Sequence, residues 1–147
     1  MKRALPPTYA FLALAVMVAL HVLVPVDRYW SYPLTLTGLV PLALGVLLNV
    51  TAGRQFKTNK TTVKPFERSA VLVTALPFSI SRNPMYLGLS LLLLGVALLL
   101  GTVAPLLPVV AFPFVIDRIF VRSEERMADE AFGREWKAYR SRVRRWI

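Results

Sequence analysis

The chain reads as an all-α integral membrane protein of about four transmembrane helices, the last two forming a hairpin that leads into a cytoplasmic amphipathic helical tail. Three observations predict this class. Of its 147 residues 56% are hydrophobic and the mean hydropathy is +0.55, far from the balance of a soluble domain. Two stretches, Tyr9 to Val26 and Pro33 to Ala52, have His21 as their sole side chain titrating near neutrality. Each approaches the roughly 20 residues that cross hydrocarbon. A third, Met85 to Ile116, has no charged residue over 32 positions.

The first span follows the basic pair Lys2 and Arg3, as in a signal sequence, but His21-Val22-Leu23-Val24-Pro25 offers no small-residue cleavage site, so the span is expected to stay. An outer loop, Asp27-Arg28-Tyr29-Trp30-Ser31-Tyr32, carries aromatic residues suited to the headgroup belt. After the second span, Gly53 to Ser81 holds turn formers and is expected along the cytoplasmic face. Within it the apolar, partly β-branched piece Ala70 to Ile80 suits either a strand-like or a re-entrant segment.

As one helix, Met85 to Ile116 would be about 48 Å long at ~1.5 Å per residue, against a hydrocarbon core of roughly 30 Å. A hairpin fits better. Gly101-Thr102 and Pro105 supply the break, and Pro108 and Pro113 would bend the returning arm. Beyond Ile116, apolar residues from Ile119 and Phe120 through Phe132, Trp136, Tyr139, Val143 and Trp146 recur mostly at three- and four-residue spacing among charges. Gly133 is the expected C-cap of a first cytoplasmic helix, with Arg134 to Arg145 a second and its aromatic stripe buried as packing. Nothing repeats clearly, so the chain is one domain: a helical pair over 1–52, a cytoplasmic loop over 53–84, and a hairpin plus tail over 85–147. The cations Arg54, Lys57, Lys60, Lys64, Arg68 and Arg82 and the Arg-rich tail all fall on one side, which the positive-inside rule makes cytoplasmic. Both termini are then cytoplasmic, and the expected location is a bacterial or archaeal cytoplasmic membrane.

A net charge of +10 beside membrane spans is accounted for by anionic headgroups, and no nucleic-acid-binding signature accompanies it. There is no cysteine and one histidine, which excludes thiolate chemistry and argues against a metal site. His21, inside a span, is expected as a neutral imidazole hydrogen-bonded within the bundle.

If the uncharged run folds back, Arg82, Asn83, Tyr86, Glu124 and Glu125 collect at one mouth of a membrane pocket, a combination suited to a small, charged, water-soluble cofactor. Asn83 is placed to cap a helix beginning at Pro84, leaving free N–H groups at its positive end. Plainer roles stand beside these. Arg82 could snorkel to the headgroups, Gly88 could serve helix packing, and Glu125 could pair with Arg122 one turn back.

Three motifs carry a family resemblance: Thr61-Thr62-Val63-Lys64-Pro65-Phe66, Leu72-Val73-Thr74-Ala75-Leu76-Pro77-Phe78 and Ser81-Arg82-Asn83-Pro84-Met85-Tyr86-Leu87-Gly88. Glu124-Glu125, Phe132-Gly133, Tyr139 and Val143-Arg144 follow in order. Over roughly the last 90 residues the chain resembles the membrane-embedded S-adenosylmethionine-dependent methyltransferases, which include isoprenylcysteine carboxyl methyltransferases and phospholipid N-methyltransferases. Asn83 matches the phospholipid type, and Leu76 stands where the family commonly has glycine. The resemblance implies S-adenosylmethionine as cofactor, bound by Leu72, Val73, Pro77, Arg82, Asn83, Pro84, Tyr86, Gly88, Glu124 and Glu125, with Arg82 and Glu125 at the chemistry and no metal.

Methyl transfer is an in-line displacement at an activated carbon, so alignment and water exclusion are the protein's main tasks. The expected acceptor is hydrophobic or lipid-linked, a carboxylate or an amine. An amine must lose a proton to Glu124, Glu125 or water. Two rival classes are a non-enzymatic lipid-binding or assembly protein keeping the fold, and a membrane reductase, which the absence of a G-x-G-x-x-G motif disfavours. Oligomeric state is left open.

Overall fold

The structure, a computed structural model, describes residues 5–24, 28–60 and 71–147. Lys2, Arg3, Asp27, the Thr61-to-Phe66 motif, Lys64, Arg68 and Ala70 lie outside the described residues. Helix α1 spans Pro6–Leu23, opened by proline in its first turn, where the missing N–H costs nothing. A short 3-10 turn, Leu34–Gly38, leads into α2, Leu39–Thr58. The hairpin follows as α3, Pro84–Leu100, and α4, Leu106–Ile116. A π-helical segment, Asp117–Val121, joins α4 to α5, Arg122–Arg142. Pro113 lies inside α4, as anticipated for a bent arm.

The turn between α3 and α4 falls where the sequence places it. Gly101 caps α3 in the left-handed region at φ 69°, a conformation that costs glycine little. The segment from residue 28 to 32 and the end of α1 close over this turn: Tyr29 N–H donates to the Gly101 carbonyl at 3.1 Å, Tyr29 OH to the Ala97 carbonyl at 2.9 Å, and His21 Nδ1 lies 2.8 Å from Thr102 Oγ1.

Two boundaries differ from expectation. Helix α2 continues six residues past Ala52, through Gly53 to Thr58, because Arg54, Gln55 and Lys57 propagate a helix already nucleated. At the other end α5 stops at Arg142, and Val143 turns extended at φ −116° and ψ 130°. Gly133 breaks α5 with φ 48° and ψ −109°, near the predicted cap. Residues 71–80 form bends and turns, neither strand nor membrane helix.

Helix α3 is the centre of the bundle. Its glycine face meets α2: a Cβ on Gly88 would run into the Asn49 side-chain amide and stand 2.9 Å from the Gly45 carbonyl, and one on Gly95 would stand 2.7 Å from the Gly38 carbonyl. Its other face packs on α1 and α4 through Tyr86, Leu93 and Ala97 with Met17, Phe112, Ile116 and Phe120. A smaller cluster of Ala52, Val73 and Phe78 holds the 71–80 segment beneath α2. The outward faces stay apolar, with Phe11, Val40 and Phe114 exposed by 71%, 62% and 69%. Helix α1 and the segment 34–58 are long and apolar enough to cross a membrane, and α3 is a shorter apolar helix.

Candidate active site at the hairpin mouth

Because α3 and α4 run back to back, the start of α3 and the start of α5 meet. Arg82 Nη2 lies 2.9 Å from Glu125 Oε1, with side chains 8% and 10% exposed. Tyr86, in the first turn of α3, donates its hydroxyl to Glu124 Oε1 at 2.7 Å. Four of the residues singled out in the sequence thus form one cluster. Arg82 is no snorkelling anchor, since it is buried and paired. Nor does Glu125 pair with Arg122, which turns to Asp117 at 2.8 Å.

The carboxy-terminal tail completes the cluster. Arg145 grips Glu125 with Nε and Nη2 at 3.2 and 2.6 Å and reaches Asp117 with Nη1 at 3.1 Å. Main-chain bonds fix the tail against α3: Arg82 N–H donates to the Arg144 carbonyl at 3.0 Å, and Ser81 Oγ and Asn83 Nδ2 donate to the Arg145 carbonyl at 3.2 and 3.1 Å. Asn83 therefore does not cap α3 with its side chain. Its amide is spent on the tail, while Pro84 opens the helix as expected. Sequence reasoning missed Arg145 as a site residue. It sits in an Arg-rich tail that reads as headgroup contact, and only the return of the tail distinguishes it.

The remaining expected site residues lie around the cluster rather than in it. Val73 and Pro77 are buried and Leu72 half-buried in the segment below α2, and Gly88 stands at the α2 crossing, where its missing side chain admits Gly45 and Asn49. Tyr139 from α5 ties this segment down, donating to the Phe78 carbonyl at 2.7 Å, and burial pushes its hydroxyl up to about 12.

Electrostatics follow burial. Desolvation lowers the Arg82 guanidinium below its ordinary range despite the opposing pull of Glu125. Arg145 shares the same carboxylate yet moves up, chiefly through its hydrogen bond to Glu125, because its side chain is 33% exposed and loses less hydration. Burial raises the Glu124 carboxyl, against the lowering effect of the Tyr86 hydrogen bond. Two buried donors, Arg82 Nε and Trp136 Nε1, have no acceptor among the described residues, and the guanidinium carbon lies 5.7 Å from the Trp136 ring centroid. Glu124 accepts the Tyr86 hydroxyl through Oε1, and its Oε2 has no hydrogen-bond partner among the described residues. Unpaired donors on Arg82 and Trp136, together with a carboxylate oxygen left open on Glu124, suit a ligand that carries both an anion and hydrogen-bond donors.

No curated protein matches the chain. A solved structure of a eukaryotic intramembrane Ras methyltransferase, isoprenylcysteine carboxyl methyltransferase, is similar in fold, with a TM-score of 0.65 at 22% identity. The similarity covers 93% of this chain and 50% of that one, so the chain spans half the length of that relative. The sequence profile of the phospholipid methyltransferase family matches residues 34–135. The chain belongs to the phospholipid methyltransferase family.

Proposed function

We propose that this integral membrane methyltransferase uses S-adenosylmethionine to methylate a lipid or lipid-linked acceptor at the cytoplasmic face, with four membrane crossings and both termini inside. The observation that carries the reading is the meeting of Arg82, Tyr86, Glu124 and Glu125 at one end of the α3–α4 hairpin, next to donors that lack acceptors. The donor set fits the cofactor: Arg82 Nε and Trp136 Nε1 would hold its carboxylate, and Glu124 and Glu125 its hydroxyl and amino groups. When bound, S-adenosylmethionine supplies a methyl carbon activated by a sulfonium leaving group.

The protein's residues then position and shield. The Arg82–Glu125–Arg145 network fixes the carboxylate pair, and the buried Tyr86 hydroxyl orients Glu124. Glu124, whose partner is the neutral Tyr86 hydroxyl, carries the carboxylate at this cluster that Arg82 and Arg145 do not neutralise, and its charge favours a nearby sulfonium. Glu124, made more basic by burial, is the better placed of the two to take a proton from an amine acceptor. The exposed apolar faces of α1, α2 and α4 suit contact with lipid, the phase that would supply a hydrophobic acceptor.

Calorimetry of the purified chain with S-adenosylmethionine, followed by radiolabelled methyl transfer to native lipid extract, tests this. Saturable binding and label in the lipid fraction, both reduced in Arg82→Ala and Glu125→Gln, are expected. Absence of saturable binding in the wild type would leave a non-enzymatic lipid-binding protein.

A further inference from the structure

The segment that leads into α3 turns bulky aliphatic side chains outward. From Val71 to Ser81 the chain has no charged residue. Val73, Pro77 and Phe78 are buried, and Val73 and Phe78 pack on Ala52 of α2 with Phe56 and Met85 alongside. Val71, Leu76 and Ile80 point the other way and are 45%, 61% and 55% exposed. None of these three belongs to the Arg82–Glu125 cluster or to the expected cofactor contacts. Three large aliphatic groups set outward on one short, irregular segment expose apolar area that burial in an apolar phase would stabilise.

The backbone there is prepared to leave water. The Ala75 carbonyl accepts from Phe78 N–H at 2.8 Å and the Leu76 carbonyl from the Gln55 side-chain amide at 3.0 Å. The next two are also met, Pro77 by Ile80 and Ser81 N–H at 3.1 and 3.3 Å and Phe78 by the Tyr139 hydroxyl at 2.7 Å. A turn whose carbonyls all have protein donors loses little when its water is removed. It lacks a regular hydrogen-bonded ladder, which keeps it at the membrane interface and out of the hydrocarbon core. Its position supplies that interface. Helix α2 is long and apolar enough to cross a membrane, and the segment packs at its polar end, beside Ala52 and Gln55. Arg54 and Lys57 on the last turns of α2, and Lys60 just past it, are exposed there, and α2 carries no acidic residue. Outward aliphatic groups beside unopposed cations match the boundary of an anionic leaflet, where acyl chains and phosphates lie next to each other.

We infer that the turn over residues 75–80 is a lipid-inserting wedge: Leu76 and Ile80 enter the boundary between headgroups and acyl chains, and Arg54, Lys57 and Lys60 rest on anionic phosphates beside them. Because Ser81 and Arg82 follow directly, the wedge fixes the depth at which the hairpin mouth meets the leaflet, independently of the reaction proposed there. The cysteine-free chain allows a direct test. Leu76→Cys, Leu47→Cys on α2 and Lys137→Cys on α5, all at exposed positions, are labelled with an environment-sensitive nitrobenzoxadiazole in nanodiscs of phosphatidylcholine with phosphatidylglycerol. Emission from position 76 should shift to the blue and be lost chiefly to lipids spin-labelled near the headgroup. Position 47 should lose emission chiefly to lipids spin-labelled at the chain end, and position 137 to aqueous iodide. Lipid quenching at position 76 should weaken in phosphatidylcholine alone and in R54Q/K57Q/K60Q. Unchanged unfolding midpoints verify that the labelled and triple variants fold. Iodide quenching at position 76 equal to that at position 137 overturns the inference, and so does protection of position 76 from both iodide and lipid quenchers, which would mark a protein cover. Equal lipid quenching with and without phosphatidylglycerol overturns the role of the three cations.

Discussion

Arg82 and Glu125 meet at 2.9 Å from the two ends of an uncharged hairpin, and Arg145 holds the same carboxylate from the tail at 2.6 Å. That sharing makes the pair asymmetric. Glu125→Gln leaves two guanidinium groups facing a neutral amide, whereas Arg82→Ala leaves Glu125 still held. Stranding a buried charge costs about 3–5 kcal/mol, and partial exposure of Arg145 puts Glu125→Gln near the low end, about 3 kcal/mol, with Arg82→Ala smaller. Thermal unfolding in detergent gives the order; an equal or reversed order contradicts it.

Glu124 makes stability depend on pH. Its folded-state value is raised by burial, so the native protein binds a proton more readily than the unfolded chain does. The associated stability is present below the ordinary glutamate value of about 4.3 and is lost as pH rises through the raised value. Glu124→Gln should flatten this slope. Tyr86→Phe, which removes the hydrogen bond that favours the carboxylate, should move the slope to higher pH at a cost of about 1–3 kcal/mol near neutrality. Unfolding midpoints across a pH series measure both.

Gly53 and Gly133 have open space where a Cβ would stand, yet alanine should act oppositely at the two. At Gly53, inside α2, Gly→Ala should stabilise by up to about 1 kcal/mol. At Gly133, with φ 48° and ψ −109°, it should destabilise by about 1–3 kcal/mol, because backbone conformation and not space is limiting. Gly88→Ala should cost about as much for the contrary reason, a clash with Asn49 and Gly45. Unfolding midpoints of the three variants decide.

Tyr139→Phe removes the hydrogen bond to the Phe78 carbonyl and leaves that acceptor buried, costing about 1–2 kcal/mol. Limited proteolysis should then cut the 71–80 segment faster. Unchanged cleavage would mean that the Ala52, Val73 and Phe78 cluster suffices to hold it.

Topology is testable directly, because the chain has no cysteine of its own. Single cysteines at the exposed positions Ser31 and Lys137 should label from opposite sides with an impermeant maleimide, Lys137→Cys after permeabilisation only. Labelling from the same side would exclude an odd number of crossings between the outer loop and α5.

Much of the helical layout is local physics and was legible from the chain. An uncharged run too long for one crossing must fold or tilt, and Gly101 with Pro105 marked where; Pro84 and Gly133 marked a helix start and a break. Arg82, Tyr86, Glu124 and Glu125 were identifiable as polar groups at the two ends of that run. The exact end of α2 was less legible, since polar residues leaving a membrane continue a helix as readily as they begin a loop.

The sequence by itself determined that apolar helices would pair about the hairpin turn and that its charged ends would come to one side, because those outcomes follow from hydropathy and chain reversal. Partner choice was decided by tertiary structure alone. Arg145 binding Glu125, Asn83 serving the tail instead of the helix end, and Gly88 facing Asn49 all depend on segments far apart in the chain arriving within bonding distance. Hydrogen bonds and close packing act over a few ångströms, and no periodicity or composition encodes which of several arginines, amides or glycines will be the one that arrives.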